Sequence, residues 1–293
     1  MGIFKGSGVA LITPFNEDMS INYAKLEELI EWHIANNTDA LIVAGTTGEA
    51  STLPDEEHIE LVRRSVEIAK GRIPVIAGSG SNDTVHGIKL SLECERAGAD
   101  GLLIVTPYYN KTNRQGLINY YLSIADKVNI PIILYNVPGR TGMNIPADVV
   151  KELSNHKNIV GLKEASGDIS YLAEVARVCG SDFAIYSGND DIIVPVLSLG
   201  GVGVISVLAN VMPNETHDIV MSYLEGDIVK SRELQLSLNS LVNSLFLDTN
   251  PIPVKTAMNL MNMEVGGLRS PLWEMTPEYV EVLKEEMEKL KLI

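Results

Sequence analysis

Cysteine is nearly absent. Cys94 and Cys179 are far apart and belong to no CxxC pair. A disulfide framework and a cysteine zinc site are thereby excluded, and a reducing, cytoplasmic setting is expected. Basic residues are scarce too: 23 Lys and Arg stand against 38 Asp and Glu, for a net charge of −15. Nucleic-acid and anionic-membrane surfaces need clustered Lys and Arg, so neither partner is expected. Small anionic substrates stay open, because screening removes distant charges and a site is governed by its own. Long apolar runs are also missing. The most membrane-like stretch, Val194 to Val211, is broken by Pro195, Ser198, Gly200, Gly201, Gly203, Ser206 and Asn210. It reads as a helix end followed by a buried strand. The start, Met1 to Gly6, has no apolar signal core and no Ser or Thr where myristoylation needs one. No segment is low in complexity or charged enough for a disordered tail.

Cofactor and metal signatures fail as well. Gly78-Ser79-Gly80 follows a strand, but Asp83 stands where a dinucleotide loop needs its third glycine. Asn189-Asp190-Asp191 lacks the spacing of a calcium loop and reads as an acidic helix N-terminus. His33, His58, His86, His156 and His217 show no ligand pairing and read as surface or helix-face residues. No metal is implied, and the dinucleotide reading is weak.

What the chain does have is alternation. The 293 residues, 45% hydrophobic, suffice for one large domain or two small ones. Short apolar runs alternate with helical periodicity. Strands are expected at Val9 to Ile12, Ala40 to Val43, Pro74 to Ala77, Gly101 to Val105, Pro131 to Tyr135, Ile159 to Lys163, Ala184 to Ser187 and Gly203 to Ser206. Between them lie helices: one led by Ser20, one opened by Pro54 in its first turn, others from about Asp83 and about Pro146. A doubly wound sheet is the alternative, but eight regular units suit an α/β fold of the (β/α)8 TIM-barrel type. That barrel is expected over 1–225, with a C-terminal helical extension over 226–293. In the extension, Thr276-Pro277 reads as a helix start, Leu283, Met287 and Leu290 share a face, and Glu285 is placed to pair with Lys289.

Residues ending the strands of such a barrel converge on one face. Here they include Thr46, Thr47, Tyr109, Tyr135, Arg140, Lys163, Gly188 and Ser206. A lysine ending a buried strand loses hydration, which lowers its pKa and makes the neutral amine available to attack a ketone. The bland reading of Lys163 is a snorkelling side chain. Its neighbours decide otherwise. Tyr135 ends the preceding strand, and a phenol both donates and accepts protons. Thr46 and Thr47 offer hydroxyls and backbone N–H groups suited to a carboxylate. Arg140, after Pro138-Gly139, offers a fork for a second one. Each has a plain alternative, namely rim packing for Tyr135, an ordinary turn for the threonines and a surface ion pair for Arg140. The convergence is the argument.

With these residues assembled, the chain resembles the dihydrodipicolinate synthase family of pyruvate-dependent class I aldolases, from about Ile3 to the C-terminus. The matching pieces are Gly45-Thr46-Thr47-Gly48-Glu49, Thr106-Pro107-Tyr108-Tyr109-Asn110, Tyr135 to Gly142, Gly161-Leu162-Lys163-Glu164-Ala165, Gly203-Val204-Ile205-Ser206 and Asn250 to Lys255. The resemblance implies that Lys163 forms an imine with pyruvate and that Tyr135 relays protons. Thr46 joins it, as does Tyr109 reaching in from a neighbouring subunit. It implies that Thr47 and Ile205 hold pyruvate, with Gly188 nearby, and that Arg140 binds the carboxylate of L-aspartate 4-semialdehyde. It implies no cofactor, a homo-oligomer that is usually a tetramer and in some cases a dimer, and a place in lysine synthesis. Family members inhibited by lysine hold its ammonium with a glutamate; here His86 stands there and Asp55 replaces a common histidine, so weak or absent feedback inhibition is expected. A sister aldolase, such as N-acetylneuraminate lyase or a 2-keto-3-deoxy sugar-acid aldolase, shares the lysine and tyrosine but usually lacks the Arg140-Thr141 arrangement. A non-catalytic pyruvate- or amino-acid-binding barrel is the alternative of another class, and the intact Lys163, Tyr135 and Thr46 set argues against it.

Overall fold

The structure, a computed structural model, describes residues 2–293; Met1, the first residue of the N-terminal stretch considered above, lies outside them. Eight parallel strands among the described residues close on themselves in chain order: β1 Gly6–Ala10, β2 Ala40–Val43, β3 Val75–Gly78, β4 Gly101–Val105, β5 Ile132–Asn136, β6 Ile159–Glu164, β7 Ala184–Ser187 and β8 Gly203–Ser206. Between and after them run α1 Tyr23–Ala35, α2 Asp55–Ala69, α3 Thr84–Arg96, α4 Arg114–Ala125, α5 Pro138–Thr141, α6 Ala147–Leu153, α7 Ile169–Cys179, α8 Ile193–Ser198 and α9 Pro213–Leu224. Three more helices follow: α10 Ile228–Ser244, α11 Ile252–Leu260 and α12 Pro277–Lys289. This is the TIM barrel that the alternation predicts. Among the described residues no helix is long and apolar enough to cross a membrane.

The strands read as unbroken apolar runs because both faces are covered. Side chains such as Ile42, Ile76, Leu103, Ile133, Tyr135 and Ile205 fill the barrel interior. Their neighbours in sequence, such as Leu41, Leu102, Leu134 and Leu162, pack outward against the helices. Closure requires backbones to approach closely at the seam. A Cβ on Gly203 would lie 2.3 Å from the Gly6 carbonyl oxygen, so only glycine lets β8 meet β1 there.

Several local expectations are corrected. The first strand begins at Gly6, not Val9, because β1 pairs with β8 from Gly6 onward. It stops before Ile12, whose N–H donates to Asn210 Oδ1 instead. The first helix is capped by Asn22, whose side chain accepts from Lys25 N; Ser20 is occupied with Asp18. Pro54 caps α2 rather than sitting inside its first turn. In α12, Lys289 pairs with Glu286, not Glu285. His33 and His58 lie on helix faces but are buried, and burial lowers the pKa of both. The helix expected straight after Asn189 is a single 3-10 turn, Asp190–Ile192, leading into α8.

Candidate active site

β6 extends one residue past Lys163, to Glu164. The pairing of β5 with β6 skips one residue near Ile132 and then runs Ile133↔Gly161, Tyr135↔Lys163, Asn136↔Glu164. Paired residues of neighbouring strands share a face, so Lys163 and Tyr135 both point into the barrel. The next pair, Asn136 and Glu164, points out. There the Asn136 amide donates to Glu164 at 2.7 Å, and the backbone N–H of Ser166 donates to the same carboxylate. Burial pushes the Glu164 carboxyl up, against those bonds. On the inner side, Lys163 is only 6% exposed. Its Nζ lies 4.4 Å from the centre of the Tyr135 ring and donates to no group of the described residues. An amine at the end of a buried side chain that is not spent on a protein acceptor is left available to a ligand, which is what imine chemistry needs.

Beside Tyr135 opens a cavity of about 440 Å³, whose wall also includes Thr46 and Arg140. Arg140 lies on α5, a single helical turn opened by Pro138. Its guanidinium donates one bond, to the Asn250 carbonyl at 2.9 Å, and forms no salt bridge among the described residues. The surface ion pair that is an arginine's commonest fate is therefore absent among the described residues, and the rest of the fork has no protein partner there. Thr46 and Thr47 sit on a turn bracketed by two non-glycine residues in the left-handed region, Ala44 at φ 51° and Glu49 at φ 56°. Such backbone persists only where surroundings enforce it. Thr13 Oγ1 donates to the Gly48 carbonyl at 2.7 Å, and Asn250 Nδ2 donates to Thr47 Oγ1 at 3.0 Å.

The enforcing group for Glu49 is a buried ion pair. Lys255 Nζ donates to Glu49 Oε1 at 2.8 Å, to the Thr13 carbonyl at 2.9 Å and to the Gly267 carbonyl at 2.5 Å. Arg269 N donates to Glu49 Oε2 at 2.9 Å. Burial lowers the Lys255 ammonium to about 8, partly offset by Glu49.

Ile205 lies on β8 in the barrel interior, and Gly188 follows β7 with its N–H on the Glu164 carbonyl. A Cβ at Gly188 would come within 2.6 Å of the Ala165 Cβ. Thr46, Thr47, Tyr135, Lys163, Gly188 and Ile205 thus occupy the same end of the barrel. Tyr109 does not join them within this chain. It is 93% exposed at φ 70°, and it is Tyr108 that lines the cavity. Sequence reasoning gave no role to Asn250, Glu49 or Lys255, and it misplaced Asp190. The Asp190 carboxylate does not serve its own helix. Its Oδ2 accepts from Val207 N and Leu208 N, both at 3.0 Å, and so holds the end of β8. Burial raises its pKa, opposed by Ser206, those N–H groups and the charge of Lys163. Among the described residues no cluster of three His, Cys, Asp or Glu could hold a metal ion.

Comparison with known proteins points the same way. The model of the dihydrodipicolinate synthetase family matches residues 3–290. The 4-hydroxy-tetrahydrodipicolinate synthase of Thermoanaerobacter sp. (strain X514) is 55% identical over 294 residues, which span 100% of this chain and 99% of that one. The crystal structure of dihydrodipicolinate synthase from Aquifex aeolicus superposes with a TM-score of 0.96 at 44% identity, covering 99% of each chain. The chloride-inhibited dihydrodipicolinate synthase from Acinetobacter baumannii, solved complexed with pyruvate, has a TM-score of 0.97 at 39% identity over 100% of each chain.

Proposed function

The chain belongs to the dihydrodipicolinate synthetase family, and from that premise we propose that it condenses pyruvate with L-aspartate 4-semialdehyde to give 4-hydroxy-tetrahydrodipicolinate, on the route to diaminopimelate and lysine. The observation that carries this is Lys163, a largely buried lysine paired in register with Tyr135, whose Nζ lies 4.4 Å from that ring's centre and makes no hydrogen bond among the described residues. The amine adds to the pyruvate ketone. The carbinolamine loses water, and the iminium loses a methyl proton to become an enamine. The enamine carbon attacks the aldehyde, whose oxygen takes a proton. The amino group of the semialdehyde then adds to the imine carbon and expels Lys163, closing the ring. Every step is a C–C or C–N bond change with proton or water transfer, so no redox cofactor is called for.

The remaining roles follow from position. Tyr135, paired in register with Lys163, moves protons during addition and dehydration, assisted by Thr46. Thr47 and the backbone about Ile205 and Gly188 hold the pyruvate carboxylate. Arg140, with most of its fork free, takes the carboxylate of the semialdehyde. Tyr109 points away from its own cavity in a left-handed conformation, which supports a role in the site of an adjoining copy within a homo-oligomer, a tetramer by resemblance. We read residues 1–225 as the catalytic barrel and 226–293 as its extension, and the protein as cytoplasmic. At the cavity's other end Asp55 binds His86 and Lys89, each at 2.8 Å. Lys89 first and His86 second pull the Asp55 carboxyl down to about 2. With that carboxylate already paired to two basic groups, a free lysine ammonium finds no anion there, which supports weak feedback inhibition.

Borohydride reduction in the presence of pyruvate tests the imine: a covalent adduct on Lys163 is expected, and a binding barrel gives none. Coupled turnover then separates the aldolases. Aspartate semialdehyde is expected to be consumed far faster than sugar aldehydes, and the reverse would assign the chain to a sister activity. Activity abolished by sub-millimolar lysine would refute the reading of the Asp55–His86 pair.

A further inference from the structure

We propose that Asn250 is a positioning residue for both substrate carboxylates: its side-chain amide donates into the Thr47 hydroxyl and so turns that hydroxyl's proton toward pyruvate, while its backbone carbonyl holds the Arg140 guanidinium. The proposal rests on the pyruvate condensation argued above.

Asn250 precedes α11 and is only 6% exposed. Its Nδ2 lies 3.0 Å from Thr47 Oγ1, and its carbonyl oxygen lies 2.9 Å from Arg140 Nη2. A hydroxyl has one proton to give. Thr47 is buried, and its oxygen makes no other hydrogen bond among the described residues. By donating into that oxygen, Asn250 occupies a lone pair of Thr47 and leaves its proton unspent at this contact. The proton is left over for a ligand, and a carboxylate oxygen is the acceptor the reaction brings. A charge-assisted bond of this kind is worth a factor of about 10–100 in binding. Meanwhile Asn250 Oδ1 is buried and bonded to nothing among the described residues. The packing therefore makes no use of an acceptor at that position, and a side chain of similar shape would fill the space as well. It is the donor that is used.

The placement is rigid. Five residues further on, Lys255 grips Glu49 at the other end of the same turn. The segment from Asn250 to Lys255 thus fixes the Thr47 turn at two points and Arg140 at a third. The geometry of one carboxylate site is thereby tied to that of the other.

The test compares Asn250→Asp with Asn250→Ala. Asp is nearly isosteric but can only accept, so it captures the Thr47 proton and repels the ketoacid. The pyruvate concentration giving half-maximal borohydride adduct is expected to rise about 10-fold in Asn250→Ala and about 100-fold in Asn250→Asp. If shape alone mattered, Asp would be close to wild type and Ala the worse, and that order would overturn the proposal. Coupling is read in a Thr47→Val background, where adding Asn250→Ala is expected to cost less than about 2-fold; effects that simply multiply would also overturn it. Should the Asn250 variants fail to fold, Thr47→Ser and Thr47→Val decide on the intact Asn250 chain. Val is expected to lose about 10-fold in pyruvate affinity and Ser, which keeps the hydroxyl, clearly less; equal losses would show that the hydroxyl proton is not what is being placed. A wild-type chain that forms no adduct would instead refute the imine reading, whatever the variants do.

Discussion

Lys163 and Lys255 are both buried, both stacked on an aromatic ring, and chemically opposite. Lys255 Nζ lies 4.2 Å from the Phe15 ring centre, as Lys163 Nζ lies 4.4 Å from that of Tyr135. Around Lys255 every proton of the ammonium is spent, on Glu49, Thr13 and Gly267. Around Lys163 none is spent on a described residue. Desolvating a charge is costly unless partners compensate it. At Lys255 they do, and the result is a fastener that holds the Thr46–Thr47 turn in shape. At Lys163 the nitrogen makes no hydrogen bond among the described residues, and it stays available to a ligand. The lesson is that burial alone does not distinguish a structural lysine from a reactive one; the hydrogen-bond count around its nitrogen does.

The contrast can be broken first at Lys163. Lys163→Met should lower turnover by about 10⁴-fold or more while shifting unfolding free energy by less than about 1 kcal/mol, read by coupled assay and urea titration. A large loss of stability would place Lys163 with Lys255. The converse substitution, Lys255→Met, leaves Glu49 buried without its cation and should cost about 3–5 kcal/mol of stability. Adding Glu49→Leu should restore most of it; if it does not, the pair is not what holds the turn. Arg140→Ala should raise the KM for the semialdehyde on the order of 10–100-fold and leave pyruvate adduct formation unchanged. Equal loss of both would give Arg140 a structural role.

The smallest effect is expected at the opposite end of the barrel. His217 accompanies Asp39, and the side-chain hydrogen bond between them raises the His217 pKa. Its folded-state value lies above the unfolded one, so the stabilisation is complete below about pH 6.5 and is lost as pH rises through the folded value. The melting temperature of wild type minus that of His217→Asn should therefore shrink between pH 6 and pH 8, with turnover per folded molecule unchanged. A change in turnover would mean that a group at the far end of the barrel reaches the chemistry after all.

Much of this was legible from local pattern. Parallel strands covered on both faces are continuous apolar runs, so β2, β4, β7 and β8 have the expected bounds. The strand-end rule placed Tyr135 and Lys163 side by side, and the barrel register agrees. What was not legible is non-local. Asn250 meets Thr47 across 203 residues, and Lys255 meets Glu49 across 206. No periodicity carries information about contacts so far apart. Asp190 was misread because an acidic residue before a helix usually serves that helix, whereas here the β8 end competes successfully for it. His33 and His58 lie on helix faces as expected, but periodicity does not tell that these faces are buried, with Thr38 and the Gly78 carbonyl satisfying one ring nitrogen of each.

The distance along the chain between Asn250 and Thr47 sets a timetable. Translation proceeds at about 5–20 residues per second, so the residues that steady the Thr47 turn emerge roughly 10–40 s after it. During that interval the six strands β3 to β8 are made, before the hydroxyl and the guanidinium are steered into place. Asn250, which touches both the Thr47 hydroxyl and the Arg140 guanidinium, is therefore synthesised after every strand of the barrel.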